Sequence, residues 1–194
     1  MPRRALVAAG AAVLFWVVSV RATVVPRLDL PALSRSSEMI VHGRVVRQWA
    51  EWDRGHRFIW THYSLEVTEA LKGTPAGTVT ISEPGGTVGG DTLAIAGAPR
   101  YNTGEEVVVF LRRTPAGYWR ANGWGQGKYT VVRSAGGVSR IRTALEGITL
   151  ASPPGRGGIQ APSAVSPLTR LNGMELAAFK RLVRSHLDGR EVTR

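Results

Sequence analysis

The sequence predicts an all-β protein: a small five-stranded barrel with extra C-terminal strands, followed by a flexible linker and one C-terminal helix. Two segments, 38–48 and 58–71, alternate apolar and polar residues with the period of two that half-buried strands show. The segment 107–112 is a short continuous apolar run, typical of a strand buried on both faces. Further short strands follow between glycine-containing turns, and this spacing indicates a barrel or a sandwich.

The first 22 residues have the pattern of a secretory signal peptide. Residues 1–4 are cationic, residues 5–20 are apolar or small, and residues 20–22 offer small side chains where cleavage usually occurs. An uncleaved membrane anchor is the alternative, but it needs a longer apolar run to cross a hydrocarbon core of about 30 Å. We therefore expect cleavage near Ala22, a secreted or periplasmic product and no stable membrane span after cleavage.

The remaining chain divides into four parts. Residues 23–37 are a proline-containing lead-in, which we expect to include one short helical turn. Residues 38–150 are the barrel domain. Residues 151–167 contain four Pro and three Gly with almost no large apolar side chain, so they predict a flexible linker. Residues 168–189 predict an amphipathic helix.

Seven strands are predicted within the barrel domain: 38–48, 58–71, 79–82, 107–112, 118–121, 129–133 and 138–141. On the second of them Ile59, Tyr63, Leu65 and Val67 share one face, and Trp60 and His62 lie on the other. We expect the first of these faces to line the barrel. The segment 83–90 is too rich in glycine for a strand interior, so it predicts a loop.

The C-terminal helix carries its own signals. Asn172 is the candidate N-cap, and Glu175 follows three residues later, as in a capping box. Gly189 stands where a C-terminal cap would lie. The apolar stripe consists of Leu176, Phe179, Val183 and Leu187. We expect this stripe to dock on the barrel or on a sister subunit, in preference to a membrane interface.

Composition excludes several kinds of chemistry. The chain has no cysteine, which excludes disulfides, thiolate metal sites and a cysteine nucleophile. Four polar side chains could in principle converge on zinc: Glu51, Asp53, His56 and His62. Their spacing is not distinctive, so exposed polar positions are the preferred interpretation. No common hydrolase motif is present, and we predict neither an enzyme, nor a cofactor, nor a metal site.

The cationic charge points to a further class of partner. The formal net charge is +11, and cations alternate with aromatic rings over residues 54–60, a pattern that suits anionic glycans or single-stranded nucleic acid. The chain has no block of five consecutive cations, and its excess charge is spread thinly. Polyanion binding is therefore an alternative to protein binding.

Three motifs carry a resemblance to a known family. They are 37–45 (SEMIVHGRV), 67–73 (VTEALKG) and 104–111 (GEEVVVFL). Their order resembles the netrin-like (NTR) module, the OB-fold barrel of the tissue inhibitors of metalloproteinases, and a group of secreted bacterial proteins. The resemblance implies an OB/NTR-like five-stranded barrel over roughly residues 36–133.

The resemblance also implies a way to inhibit a secreted metalloprotease. Those inhibitors chelate the catalytic zinc through the free amine and carbonyl of an N-terminal cysteine, which this chain lacks. Cleavage after Ala22 would expose Thr23, whose α-amino group and carbonyl could still chelate. Netrin-like domains usually carry disulfides, so here nothing in the sequence is expected to clamp that end.

The predicted function is therefore that of a non-catalytic protein-binding module. Its partner is unknown, and a secreted protease is one candidate. Seven residues on loops or on the polar strand face are the candidate contacts: Trp49, Trp52, Arg54, His56, Arg57, Trp60 and Trp124. An alternative interpretation is that the tryptophans cover the barrel ends. Inhibition of a metalloprotease and binding of a polyanion remain the alternative functions.

Overall fold

The computed structural model of the chain describes residues 24–134, 136–145, 149–151 and 166–189. The predicted signal peptide lies outside the described residues, as does most of the predicted linker. Within these ranges, no helix combines the length and the apolar character that a membrane crossing requires.

The described residues form eleven strands, two α-helices and two 3₁₀ turns. The strands are β1 (Val24–Pro26), β2 (Met39–Trp52), β3 (Ile59–Lys72), β4 (Thr78–Pro84), β5 (Gly86–Val88), β6 (Asp91–Leu93), β7 (Glu106–Arg113), β8 (Trp119–Ala121), β9 (Lys128–Arg133), β10 (Ser139–Thr143) and β11 (Thr149–Ala151). The helices are α1 (Leu30–Ser36) and α2 (Leu176–Leu187), and the 3₁₀ turns are Trp124–Gly127 and Pro167–Leu171.

Five strands close into a ring, which confirms the all-β barrel with extra strands and a terminal helix. The main sheet has the order β10-β9-β7-β2-β3-β4-β8, and β8 also pairs with β7. The ring therefore runs β7-β2-β3-β4-β8, and β9 and β10 extend from it. The contact of β8 with β4 is parallel and consists of one residue pair, Ile81 with Trp119. This short pairing is the seam of the barrel.

The interior of the ring is apolar, as the alternation on β3 predicts. Tyr63 and Leu65 are 2% and 0% exposed, and Val67 packs against the same cluster. The β2 residues Met39 and Val45 face them from the neighbouring strand. The expected inward face of β3 is confirmed.

A second apolar core lies on the other side of the sheet, beneath the two helices. The side chains of β7 alternate between the two cores: Val107, Val109 and Leu111 enter the barrel, whereas Val108 and Phe110 join the second core. The segment 107–112 is a continuous apolar run because both faces of β7 are buried. Phe179 and Val183 of α2 are both 0% exposed in the second core. The C-terminal helix therefore docks on its own barrel.

The capping box proposed for the C-terminal helix is wrong. Asn172 ends the 3₁₀ turn, and its Oδ1 accepts hydrogen bonds from the backbone N and the Oγ1 of Thr143, at 2.7 and 3.0 Å. Glu175 occupies the N-cap position without a side-chain cap. Gly189 has the left-handed φ of 67° that the predicted C-terminal cap requires.

The glycine-rich segment 83–90 is not the plain loop that its composition predicts. Its second half pairs with the next residues, so that β5 and β6 form a short antiparallel hairpin. At the N-terminus, β1 pairs in parallel with β11. Each of these pairings joins two strands of three residues. Such short strands are not predictable from local composition.

Candidate functional site: an aromatic and arginine strip

The candidate site lies on the outer wall of the barrel, across β2, β3 and β8. Ile59 and Thr61 of β3 are buried on the inside, so Trp60 and His62 project outward because neighbouring residues of a strand alternate faces. The site, called here the aromatic–arginine strip, consists of Arg47, Trp49, His62, Tyr118, Trp60, Arg120 and Trp124. Rings and guanidinium groups contact one another along its whole length.

The first half of the strip is built on a cross-strand pair. Trp49 lies opposite His62 in the β2–β3 register, and their rings stack with centroids 5.2 Å apart. The Arg47 guanidinium carbon lies 5.0 Å from the Trp49 centroid, within the range of a cation–π contact. Such a pair on one face of a sheet positions both rings firmly.

The second half of the strip is built around Arg120. Its guanidinium carbon is 4.9 Å from the Trp124 centroid and 5.8 Å from the Trp60 centroid. Tyr118 joins the two halves, because its ring centroid is 5.5 Å from that of Trp60 and 6.3 Å from that of His62. Tyr118 is 42% exposed, which leaves much of its ring available to a partner.

His62 is buried, although the sequence predicts an exposed polar position for it. It is 6% exposed, its Nδ1 lies 2.8 Å from the Ser82 hydroxyl, and its Nε2 lies 3.1 Å from the Glu51 carboxylate. Burial lowers the pKa of His62, and the Glu51 charge opposes that effect. His42 of β2 is also buried, because α2 covers its side of the strand.

A buried carboxylate lies directly beneath the strip. Glu83 is 0% exposed, and it accepts hydrogen bonds from the Ala121 backbone N at 2.7 Å and from the Arg120 Nε at 3.2 Å. Burial raises its pKa to about 7, against the opposing charge of Arg120. β4 and β8 share a single residue pair, so few ladder hydrogen bonds join them. The Glu83 carboxylate partly replaces the missing ladder by accepting the hydrogen bond of the Ala121 backbone N. Arg120 therefore belongs to both the strip and the seam.

Four predicted contact residues lie at the tip of the β2–β3 hairpin. His56 has a positive φ of 49°, and its ring stacks on Trp52 with centroids 5.8 Å apart. The neighbouring Arg54 and Arg57 are exposed. Asp53 accepts backbone hydrogen bonds from residues 57 and 58 at 2.7 and 3.2 Å, so it shapes the turn. The seven predicted residues thus form two groups, with Trp49, Trp60 and Trp124 in the strip.

Four strip residues were not among the predicted contacts: Arg47, His62, Tyr118 and Arg120. Strand alternation already places His62 beside Trp60, and this signal could have identified it. Tyr118 and Arg120 carry no such signal, because β8 reaches Trp60 only through tertiary pairing. Trp49, Trp60 and Trp124 belong to neither apolar core.

The four side chains weighed as zinc ligands, and set aside in favour of exposed polar positions, do not come together as a group in the described residues. Within the described ranges, no three His, Asp or Glu side chains form a group that could hold a metal ion. His56 contacts Trp52, and Asp53 is used by the turn. Comparison of the chain with models of known protein families, and with curated proteins, finds no match.

Proposed function

We propose that this protein is a non-catalytic binding module that binds a protein partner through the aromatic–arginine strip. One observation carries the proposal: three tryptophans, Tyr118 and two arginines form a continuous outer surface that belongs to neither core. Trp, Tyr and Arg are the residues that contribute most to the affinity of protein interfaces.

The internal contacts of the strip also favour binding. The guanidinium of Arg120 is held between two indole rings and by Glu83, so little side-chain entropy remains to be lost when a partner docks. Interfaces gain affinity from such preorganisation because ordering each free side chain costs about 0.5–1.5 kcal/mol. Trp124 has the strained φ of 60° that is often found at functional positions.

Photocrosslinking provides the test. A benzoyl-phenylalanine would replace Tyr118 in one variant and Val138 in a matched control, since the two side chains are 42% and 40% exposed. Val138 lines a groove beside α2, away from the strip. After irradiation in the envelope fraction of the source cell, we expect one discrete protein adduct from position 118 and none from position 138. Equal adducts from both positions would contradict the proposal.

A second variant and a salt series sharpen this result. Trp60→Ala should abolish the adduct at position 118 without altering the folded spectrum, because Trp60 is outside both cores. The adduct should persist at 0.5 M salt. A polyanion partner would instead bind heparin with an affinity that falls steeply as salt rises, and retention on heparin that Trp60→Ala removes would favour that alternative.

Inhibition of a metalloprotease remains a second candidate because the N-terminal lead-in is held in place. The Gln126 side chain accepts a hydrogen bond from the Leu28 N at 2.9 Å and donates one to the Pro26 carbonyl at 2.9 Å. This clamp was not expected from a chain without disulfides. Protein beginning at Thr23 should inhibit a thermolysin-type zinc protease, and one extra residue before Thr23 should abolish inhibition. Equal activity of the two forms would exclude chelation.

The proposed location of the module is outside the cytoplasm. The support is the apolar segment 5–20 with cationic residues before it and small residues after it. Mass spectrometry of the exported protein should find Thr23 at the N-terminus. An intact residue 1 on protein retained in membranes would instead identify an uncleaved anchor.

A further inference from the structure

One end of the barrel holds a cavity, close to the Trp49 end of the strip. The β5–β6 hairpin folds over this end of the ring, and Gly86 permits the approach because a Cβ there would lie 2.4 Å from the Thr61 Oγ1. The space beneath is about 460 Å³, within the size range of small-molecule sites. Its lining includes Gln48, Thr61, Tyr63, Arg100, Tyr101 and Asn102.

Arg100 supplies a cation with unused hydrogen-bond donors. Its Nη1 donates to the Thr61 Oγ1 at 3.3 Å. Burial raises the pKa of Tyr63, and a hydrogen bond from Arg100 opposes that effect. A guanidinium has five N–H donors, and within the described ranges no carboxylate comes within 4.0 Å of this one, although its charge also helps to lower the pKa of the buried Glu83. Lys128, by contrast, pairs with Glu105 at 2.7 Å.

Tyr101 adds a buried hydroxyl that lacks a partner. The residue is 2% exposed, and its hydroxyl makes no hydrogen bond to the described residues. Its ring is held between Tyr63, with centroids 4.7 Å apart, and the Lys128 ammonium, 4.6 Å from the ring centroid. A buried polar group without a partner is destabilising, but this hydroxyl has no accessible surface, so Tyr101 contributes to the wall of the cavity and not a polar contact to a ligand.

The chemistry of the lining selects the ligand. One guanidinium favours a carboxylate, whose two oxygens match its planar fork. The amide groups of Gln48 and Asn102 can both donate to and accept from ligand hydroxyls, whereas the Thr61 hydroxyl already donates to the Gly85 carbonyl at 2.6 Å and can only accept. We propose that this cavity, here called the barrel-end site, binds a small hydroxylated carboxylate of the uronic acid class, with its carboxylate on Arg100. The site goes beyond the proposed protein-binding function, because Trp49 is the one residue of the strip that lines it.

Calorimetry with glucuronate, and with glucose as the neutral analogue, tests the barrel-end site. Glucuronate should bind with a dissociation constant of about 1 mM or tighter, an affinity worth roughly 4 kcal/mol. Glucose should bind at least 10-fold more weakly, because it has no carboxylate to pair with the Arg100 guanidinium. No heat from glucuronate, or equal affinity for the two sugars, would overturn the proposal.

Variants of the cavity lining test where glucuronate binds. Arg100→Gln should weaken glucuronate at least 10-fold, and the matched control Arg133→Gln, an exposed arginine on β9, should leave it unchanged. Ala94→Trp, on the exposed cover of the cavity, should also block binding, which keeps the test informative if Arg100→Gln fails to fold. Trp60→Ala should bind glucuronate normally. Binding that survives both Arg100→Gln and Ala94→Trp would overturn the proposal.

The uronate could come from a free sugar acid or from the end of an acidic glycan. Both sources present the same carboxylate and hydroxyls. Comparing the affinities for digalacturonate and galacturonate distinguishes the two sources. Tighter binding of digalacturonate than of galacturonate would support the proposal with a glycan end as the source, and equal binding would support it with the free acid. Binding of neither compound would count against the site.

Discussion

The Nε of Arg120 donates a hydrogen bond to the Oε2 of Glu83 at 3.2 Å, across the seam between β8 and β4. The same guanidinium lies over the rings of Trp60 and Trp124 on the outer wall. Arg120 therefore connects the buried carboxylate to the surface proposed for binding. The protonation of Glu83 and the geometry of the strip are coupled through this one side chain.

Glu83→Gln should change how stability depends on pH. Burial raises the pKa of Glu83 from 4.5 to about 7, so the folded protein binds this proton more tightly than the unfolded chain does. The contribution of Glu83 to the free energy of unfolding is therefore present below pH 4.5 and is lost as pH rises to about 7. Its size is on the order of 3 kcal/mol.

Urea unfolding at pH 5, 6, 7 and 8 measures this effect. The stability of Glu83→Gln relative to the wild-type protein should rise across that range, because glutamine keeps an oxygen for the Ala121 N but has no proton to lose. Taking the difference between the two proteins removes the contributions of other titrating groups. A constant difference from pH 5 to pH 8 would contradict the prediction.

His42 should have the opposite effect on stability. Its Nε2 lies 2.9 Å from Glu106 and its Nδ1 lies 2.9 Å from the Lys180 ammonium, which also contacts Glu69. Burial, reinforced by Lys180, lowers the pKa of His42 below 6.5, although both carboxylates oppose the shift. The stabilisation is therefore complete above pH 6.5 and decreases as the pH falls below it.

An NMR titration of the His42 ring checks this, together with unfolding of His42→Gln at pH 5.5 and 7.5. Wild-type protein should lose more stability than His42→Gln between those two values. Lys180→Met should raise the pKa of His42, since it removes the facing ammonium. A wild-type pKa at or above 6.5 would refute the assignment.

Phe179→Ala should destabilise the fold by about 3–5 kcal/mol, the usual cost of deleting a buried aromatic ring. Phe179 is 0% exposed, and its ring centroid is 4.6 Å from that of Tyr129 and 6.3 Å from that of Phe110. Leu187→Ala is the matched control on the same helix and should cost less, because Leu187 is only partly buried. Guanidinium unfolding would measure both, and equal losses would show that the helix does not pack as described.

Gly86→Ala should cost more than about 2 kcal/mol, because strain and overpacking combine there. The φ of Gly86 is 148°, and the new Cβ would lie 2.4 Å from the Thr61 Oγ1. Gly90→Ala provides the control, since a Cβ there meets nothing within 4 Å, and its cost should stay within about 0.5 kcal/mol. Thermal unfolding of the two variants separates them, and similar midpoints would contradict the tight approach of the hairpin to the barrel.

Much of the architecture could be predicted from local pattern. The alternation over 58–71 identifies the buried face of β3, and the apolar run 107–112 identifies β7 as a strand between two cores. The apolar stripe of α2 predicts that the helix is covered. The position of its N-terminus was missed, because Asn172 bonds Thr143 of a distant strand instead of its own helix.

The candidate site was only partly predictable. Trp49, Trp60 and Trp124 were identified by residue type, and the structure brings them into one strip. Arg54, His56 and Arg57 were predicted contacts because they neighbour aromatic residues in the sequence, but they lie at a hairpin tip. Adjacency along the chain does not report adjacency across strands, which depends on register.

Local periodicities of hydrophobicity specify that the chain forms strands with one apolar face and a helix whose apolar stripe must be covered. The pairing of β8 with β4, in contrast, arises only in the folded chain, and it places Arg120 over Trp60 and Trp124 and buries Glu83 beneath them. A side chain acquires its neighbours, its exposure and its pKa from strand pairings between residues far apart in the chain. Local patterns do not encode those pairings, because each pattern spans only a few consecutive residues.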